Sequence, residues 1–340
     1  MDIVKKVLII KGYRDLERTY INACEEIGVK YDVLDVFGES TWLHKVNADD
    51  YELAFVRPPC DTVEARYFFS DVIQILLDRN IRVYPQSSTL NYYENKRYFH
   101  YISSIYDVNT PRSEVVHKFE DLITVADDFG LPLVIKTVVG SGSAGVKIIK
   151  NKNKLKRVGR KIFGYHPAFA SGLTPSVKVK NKIKIPAFGR SAKHACLIQE
   201  KVDFKWEWRI ILIGDAIFGY RKLKDENGFA SGSKLYGYGL PSKELLDVAS
   251  GDAKKLNFDS GALDYFELAD GSFTLNEAQA LFGSKPINKT YPDAQMFDEK
   301  GQPCIFLREN GGYKLHYGSF CQNECANLRV KHALKLSLVD

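Results

Sequence analysis

Between Lys147 and Gln199 the chain has no Asp or Glu, although the same stretch carries 14 Lys and Arg. The whole chain of 340 residues is only +6, so the cationic segment sits on an otherwise net-acidic body. No uninterrupted apolar run of 18 residues occurs, which excludes an ordinary membrane-spanning helix. The apolar run at the start is too short for a signal peptide, so the expectation is a soluble, intracellular, cytoplasmic protein. Six cysteines are scattered at Cys24, Cys60, Cys196, Cys304, Cys321 and Cys325, without a disulfide framework. The last three, with His316, match no standard zinc-module spacing. Internal repeats and low-complexity tails are missing. Tyr and Phe are plentiful, but they do not alternate with basic residues as on a nucleic-acid platform, so nucleic acid is set aside as a partner.

What is present centres on Leu131–Ile149, which reads as a buried strand ending in Lys136, a small-residue loop and a second strand. A loop of Gly140, Ser141, Gly142, Ser143, Ala144 and Gly145 can lay backbone N–H groups over a phosphate chain, because no side chain holds the phosphates away. Lys136 adds a point charge to the same oxygens. The letters Gly140-x-Gly142-x-x-Gly145 also satisfy the dinucleotide fingerprint. That motif needs a helix next and an acid about 20 residues on; here a strand follows and the acid is missing. In protein kinases the lysine comes after the glycine loop, with His-Arg-Asp and Asp-Phe-Gly downstream; neither motif occurs. The Walker pattern is missing too. A hairpin lid with its lysine on the entering strand remains.

The fold class is α/β. Alternating strand and helix patterns over about 85 residues predict a small open parallel sheet, with Arg57 just past a strand's carboxyl end, where such sheets bind ligands. Tyr92–Tyr106 is predicted as a helix carrying Lys96. The cationic run reads as a solvated loop, or as a surface that steers an acidic partner. Cys196–Val202 is an apolar strand turning acidic, and Trp208–Ile213 and Ala216–Lys222 are strands about a tight Gly214-Asp215 turn. Asp264 and Glu277 lie on paired strands of one hairpin, with Gln279 two beyond. Two oxygen donors facing a phosphate chain suit Mg²⁺. The last 50 residues are weakly patterned.

With these elements in order, the chain resembles the ATP-grasp superfamily of carboxylate–amine ligases, especially peptide-extending glutamate ligases and D-alanine–D-alanine ligase, over roughly Ile81 to Gly283. The resemblance implies an open parallel-sheet domain (1–90), a lid subdomain (91–200, with basic segment 147–199), a metal-binding subdomain (201–290) and a C-terminal extension (291–340). It further implies that Lys96, Lys136 and the lid bind ATP phosphates. The stretch Gln199-Glu200-Lys201-Val202 would meet adenine and Glu207 the ribose. Asp264, Glu277 and Gln279 would hold Mg²⁺, as two ions. Lys136, Arg209 and Arg221 would serve catalysis, and Arg57, Arg209, Arg221, Ser231 and Ser233 the substrate. Two departures from the family pattern stand out. Gln279 replaces the usual Asn of the metal motif, and Ala262 replaces the arginine of D-alanine–D-alanine ligase, which disfavours D-alanyl ligation. The implied reaction joins a small carboxylate to an amine through an acyl phosphate. Alternatives are a kinase acting on an anionic acceptor such as an inositol phosphate, and an ATP-binding regulator without turnover. The 147–199 segment suits an acidic carrier or polyanionic substrate, and a homodimer is compatible with the sequence.

Overall fold

A computed structural model describes residues 6–12, 17–59, 63–138, 145–164, 177–178, 184–185, 194–224 and 235–337. In chain order the elements are β1 (Val7–Ile10), α1 (Arg18–Ile27), β2 (Tyr31–Leu34), α2 (Trp42–Ala48), β3 (Leu53–Phe55), α3 (Val63–Asp78) and β4 (Arg82–Tyr84). Next come α4 (Ser87–Leu90), α5 (Lys96–Ile105), β5 (Ser113–Val116), α6 (Phe119–Phe129), β6 (Leu133–Thr137), β7 (Val146–Ile149) and α7 (Lys152–Phe163). Then follow β8 (Val177–Lys178), β9 (Lys184–Ile185), β10 (Cys196–Glu200), β11 (Trp206–Ile213), β12 (Ala216–Lys222), β13 (Tyr236–Gly237) and α8 (Lys243–Lys255). The chain closes with β14 (Ser260–Glu267), β15 (Phe273–Gln279), β16 (Cys304–Glu309), β17 (Gly312–Tyr317) and α9 (Gln322–Ser337).

Strands β2-β1-β3-β4 form the expected parallel sheet. Every side chain of β1 is buried, as a strand covered on both faces requires. Leu8 and Ile10 join one core with Phe69 and Val72 of α3, while Val7 and Ile9 join another with Tyr20 of α1 and Val330 of α9. The C-terminal helix α9 therefore packs on the N-terminal sheet. Its amphipathic signal is weak because Asn327 and Arg329 are buried with its apolar residues.

The second sheet, β5-β10-β6-β7, is antiparallel and carries the lysine strand. The third runs β15-β14-β11-β12-β16-β17, so part of the weakly patterned C-terminal region completes it as a hairpin. The cationic run is not all loop. Residues 152–163 form α7, which buries Leu155, Val158 and Ile162 against α6 and the second sheet and leaves Lys154, Lys156, Arg157, Arg160 and Lys161 outside. Three apolar side chains at helical spacing, each worth roughly 1.5–3 kcal/mol when buried, outweigh the mutual repulsion of solvated cations.

Helix α5 begins at Lys96 rather than Tyr92. The Asn95 side chain accepts the Tyr98 N–H at 3.2 Å and caps it. The Lys96 N–H donates to the Val138 carbonyl at 2.8 Å, tying α5 to the end of β6. Close approach also governs the lid hairpin. A Cβ on Gly145 would lie 1.9 Å from Thr137 Oγ1. Gly145→Ala should therefore lower stability by about 1–3 kcal/mol. Adding Thr137→Ala should recover most of that loss in a urea-unfolding cycle, whereas additive losses would refute the clash.

Candidate functional site

A tight turn at Gly214-Asp215 joins β11 to β12 and sets Ile213 opposite Ala216. Counting back, Lys222 faces Glu207 and Tyr220 faces Arg209. On the other side of β11, Arg209 faces Asp264, and Asp264 faces Glu277 on β15. Period-2 alternation thus lines one face of the large sheet with Glu207, Arg209, Lys222, Asp264, Glu277 and Gln279.

These side chains are closely paired. Arg209 Nε and Nη2 donate to Asp264 Oδ1 and Oδ2 at 2.8 Å each, a two-pronged bond. Lys222 Nζ lies 2.7 Å from Glu207 Oε1 and 2.5 Å from Asp264 Oδ2. Burial opposes ionisation of Asp264, yet Arg209 and Lys222 outweigh it and hold its carboxyl well below the usual range. Burial pushes the Glu207 carboxyl upward. Glu207, the acid assigned to a ribose, instead receives the Lys222 ammonium at 5% exposure.

A β-bulge between Asp264 and Tyr265 leaves Asn276 as the extra residue of β15. Its Oδ1 accepts a 2.8 Å hydrogen bond from Lys136 Nζ, so the second sheet's lysine reaches the third sheet beside Glu277. Lys96 Nζ stands 3.3 Å from Glu277 Oε1. Gln279 Nε2 donates to the same oxygen at 2.9 Å, while its own Oε1 accepts the Glu94 N–H at 2.9 Å. Lys136, Lys96 and Asn276 border a narrow cleft together with Phe99, Leu197 and Gln199.

Lys136 is 8% exposed and its ammonium donates to a neutral amide. Burial, partly offset by Glu277, brings its ammonium down to about 8. A buried cation resting on an amide keeps its charge for an incoming anion. Glu94 was not foreseen. It has a left-handed backbone at φ +50°, and burial raises its carboxyl to about 7.

Several expectations change. Arg221 and Arg209 do not flank one pocket. Arg221 faces Trp208 across the ladder, so it projects from the opposite side and lies 4.8 and 5.1 Å from the Trp208 and Trp206 ring centroids. Arg209 serves Asp264 as a cross-strand ion pair. Without a metal, Asp264 is held by Arg209 and Lys222, and the Gln279 amide is engaged by Glu277 and the Glu94 N–H. Glu277 is the hard oxygen donor best suited to Mg²⁺, which takes one or two carboxylates beside substrate phosphates. Arg57 lies past the end of β3 as expected, with Nε buried and unbonded. Gln199 Nε2 donates to Ser113 Oγ at 3.1 Å, and the Glu200 carboxylate accepts the Arg112 N–H at 2.8 Å. Lys201 pairs with Asp203. Val202 follows in the link from β10 to β11. Gly140, Ser141, Gly142, Ser143, Ala144, Ser231 and Ser233 lie outside the described residues. His316 turns to Glu309 at 2.9 Å, and among the described residues no three His, Cys, Asp or Glu cluster as metal ligands.

Lys136 sets a pH signature. Its folded value of about 8 lies below the ordinary lysine value of 10.5. Between these pH values the unfolded chain retains the proton that the folded chain has released, so stability rises with pH there, by on the order of 1 kcal/mol per unit. Lys136→Met should remove that slope in urea unfolding at pH 8–10; an unchanged slope would refute the assignment. Lys222→Met leaves Glu207 buried without its cation and should cost about 3–5 kcal/mol by the same measurement. Glu207→Gln in that background should restore much of it.

The chain is similar to known proteins in part of its sequence and in its fold. Residues 95–174 match the family described as carbamoyl-phosphate synthase L chain, ATP binding domain. A formate-dependent phosphoribosylglycinamide formyltransferase from Trichormus variabilis is 22% identical over 162 residues, 44% of this chain and 41% of that protein. The chain thus spans less than half the length of that curated relative. The crystal structure of D-alanine–D-alanine ligase from Bacillus anthracis superposes with a TM-score of 0.58 at 15% identity, covering 98% of this chain and 99% of that one. A RimK-domain ATP-grasp protein from Sphaerobacter thermophilus gives a TM-score of 0.54 at 14% identity, covering 82% and 91%. Among the described residues no helix is long and apolar enough to cross a membrane. The chain has the fold of these ATP-grasp structures.

Proposed function

We propose that the chain is an ATP- and Mg²⁺-dependent ligase that joins a small carboxylate to an amine. The observation that carries this reading is Lys136: a buried ammonium from the lid sheet, held on the neutral Asn276 amide one residue from Glu277. A triphosphate would bring anionic oxygens to an ammonium that bonds a neutral amide.

In this reading a substrate carboxylate oxygen attacks the γ-phosphorus, the bond to the β-phosphate oxygen breaks and ADP departs. The amine nitrogen then attacks the acyl carbon, inorganic phosphate leaves and the amide nitrogen loses a proton. Phosphoryl transfer depends on positioning and charge neutralisation more than on covalent help from the protein. Lys136 and Lys96 neutralise phosphate oxygens from the two sides of the cleft. Gln279 holds Glu277 in orientation from one side. Arg209 and Lys222 keep Asp264 ionised, so the sheet face presents fixed charges that need no reorganisation. Glu277 would hold Mg²⁺, whose charge would neutralise the departing phosphate. In this reading the link Gln199–Val202 meets the nucleotide and Arg57 the substrate, while Glu207 stays with the Lys222 ammonium. The exposed cations of α7 favour an acidic carrier or polyanionic substrate, whose capture would weaken steeply with salt.

Amino acids and small carboxylates offered in pairs should include one that releases ADP and phosphate only when the amine is present. Lys136→Ala and Glu277→Gln should each lower that release by about 100-fold or more while circular dichroism stays unchanged. Turnover within a few-fold of wild type in either variant, or a stable phosphorylated acceptor, would defeat the reading.

A further inference from the structure

The two faces of the third sheet differ in chemistry. Period-2 alternation along β11 puts Glu207 and Arg209 on one face and Trp208, Ile210 and Leu212 on the other. Helix α8 covers the second face, where its Leu246, Ala249 and Ala253 share a core with Ile210 and Leu212. Between the last turns of α8, the Gly214-Asp215 turn and β16 lies a groove of about 560 Å³. Its floor is apolar, made of the buried side chains of Leu212, Ala253 and Phe258. Its walls carry Ser250, Lys254 and Arg308. Small-molecule sites span roughly 300–1,000 Å³, so the groove is large enough for one.

The polar groups converge. Ser250 and Lys254 stand one turn apart on α8 and share a helix face. Arg308 Nη2 donates to Ser250 Oγ at 2.9 Å. That oxygen lies 2.8 Å from the Tyr313 hydroxyl, which donates to the Leu246 carbonyl at 3.0 Å. The chain of bonds fixes Arg308 at the groove. Among the described residues neither Lys254 nor Arg308 has an ion-pair partner. The acid at the same rim, Asp215, is taken by Lys335 at 2.9 Å. Asp259 also lines the groove, but its carboxylate oxygens are buried, with His332 at 3.6 Å. The accessible charge is therefore cationic. Gly251 is a further sign. It is exposed inside α8, where alanine would favour the helix and an added Cβ would meet nothing within 4 Å. Packing gives no reason for this glycine, whereas a side chain there would stand in the groove.

We propose that this groove is a second ligand site, across the sheet from Lys136 and Glu277, for a phosphate monoester with an apolar body. The body lies on Leu212, Ala253 and Phe258, and the phosphate between Lys254 and Arg308. A guanidinium fork supplies directed donors and an ammonium supplies a point charge, a pair suited to phosphate oxygens. Two cations without acidic partners match a phosphate monoester of about −1.5 to −2 charge at pH 7 better than a singly charged carboxylate. Leu212 lies three residues beyond Arg209 on β11, roughly 10 Å along the strand, and projects from the other face. The sheet therefore separates this ligand from the charges around Asp264. The inference stands apart from the ligase reading and needs no turnover to measure.

The test uses thermal shift and calorimetry on the full chain, with phenyl phosphate, inorganic phosphate and benzoate as separate probes. Phenyl phosphate should stabilise the wild type and bind about tenfold more tightly than either other probe. Arg308→Gln and Lys254→Gln should each weaken it about tenfold, and Gly251→Leu, which fills the groove, should abolish it. These positions are exposed, so unliganded melting should stay within about 2 °C of wild type. Gly251→Ala should melt no lower than wild type. Stabilisation by Mg²⁺–ATP should persist in every groove variant. Lys136→Ala should lose that stabilisation and keep the phenyl phosphate shift. The proposal is overturned if phenyl phosphate leaves the wild type unshifted, if its shift survives Arg308→Gln, or if Gly251→Ala melts lower. A shift that vanishes in Lys136→Ala would put the probe in the nucleotide cleft and equally refute it. Equal binding of inorganic phosphate or benzoate would refute the ligand class. Lack of ADP release with an intact groove shift would defeat the ligase reading alone.

Discussion

Charge balance in a buried space is the constraint on which this structure depends. Lys96, Lys136, Arg209 and Lys222 meet Glu94, Glu207, Asp264 and Glu277 where two sheets converge. Isolated charges there would each cost several kcal/mol, so every ion must find its partner as the sheets dock. The pairing is tight around Asp264, which two cations hold, and loose around Lys136, which rests on an amide. A structural network would be satisfied throughout. This one is tightly paired around Asp264 and leaves Lys136 on a neutral amide.

Backbone geometry produces that asymmetry. The two-residue turn between β11 and β12 sets the ladder register, and the ladder puts Lys222 between Glu207 and Asp264. The bulge opposite Asp264 inserts Asn276, which gives Lys136 a neutral acceptor in place of a second carboxylate. Had Glu277 taken that bond, the lysine would be fully paired and less useful to a phosphate. Gln279 then fastens Glu277 to the segment before α5 through the Glu94 N–H. The lid, the sheet and the helix carrying Lys96 thus share one hydrogen-bonded frame.

The third sheet has two chemically distinct ends. Near Asp264 it is ionic and crowded. Beyond Gln279 it meets α9, where the Arg329 guanidinium stacks on the Phe282 ring. The helix bringing Arg329 also packs on the N-terminal sheet through Val330 and Ala333, so one element joins the first and last parts of the chain at this junction.

From sequence alone, the parallel N-terminal sheet, the lysine strand and the β14–β15 hairpin were legible, because each follows from local periodicity and short turns. The Glu207–Lys222 pair was legible as well, since the Gly214-Asp215 turn dictates it; the same count places Arg221 on the wrong face for a shared pocket with Arg209. Helix α7 was hidden because charge density masked three apolar residues at helical spacing. Asn276, Glu94 and Arg329 were beyond reach. A bulge, a left-handed residue before a helix and the docking of a C-terminal helix onto an N-terminal sheet leave no local signature. Local pattern determined which residues could carry charge toward a phosphate chain; only tertiary packing decided which were neutralised inside the protein, because pairing depends on contacts across hundreds of residues.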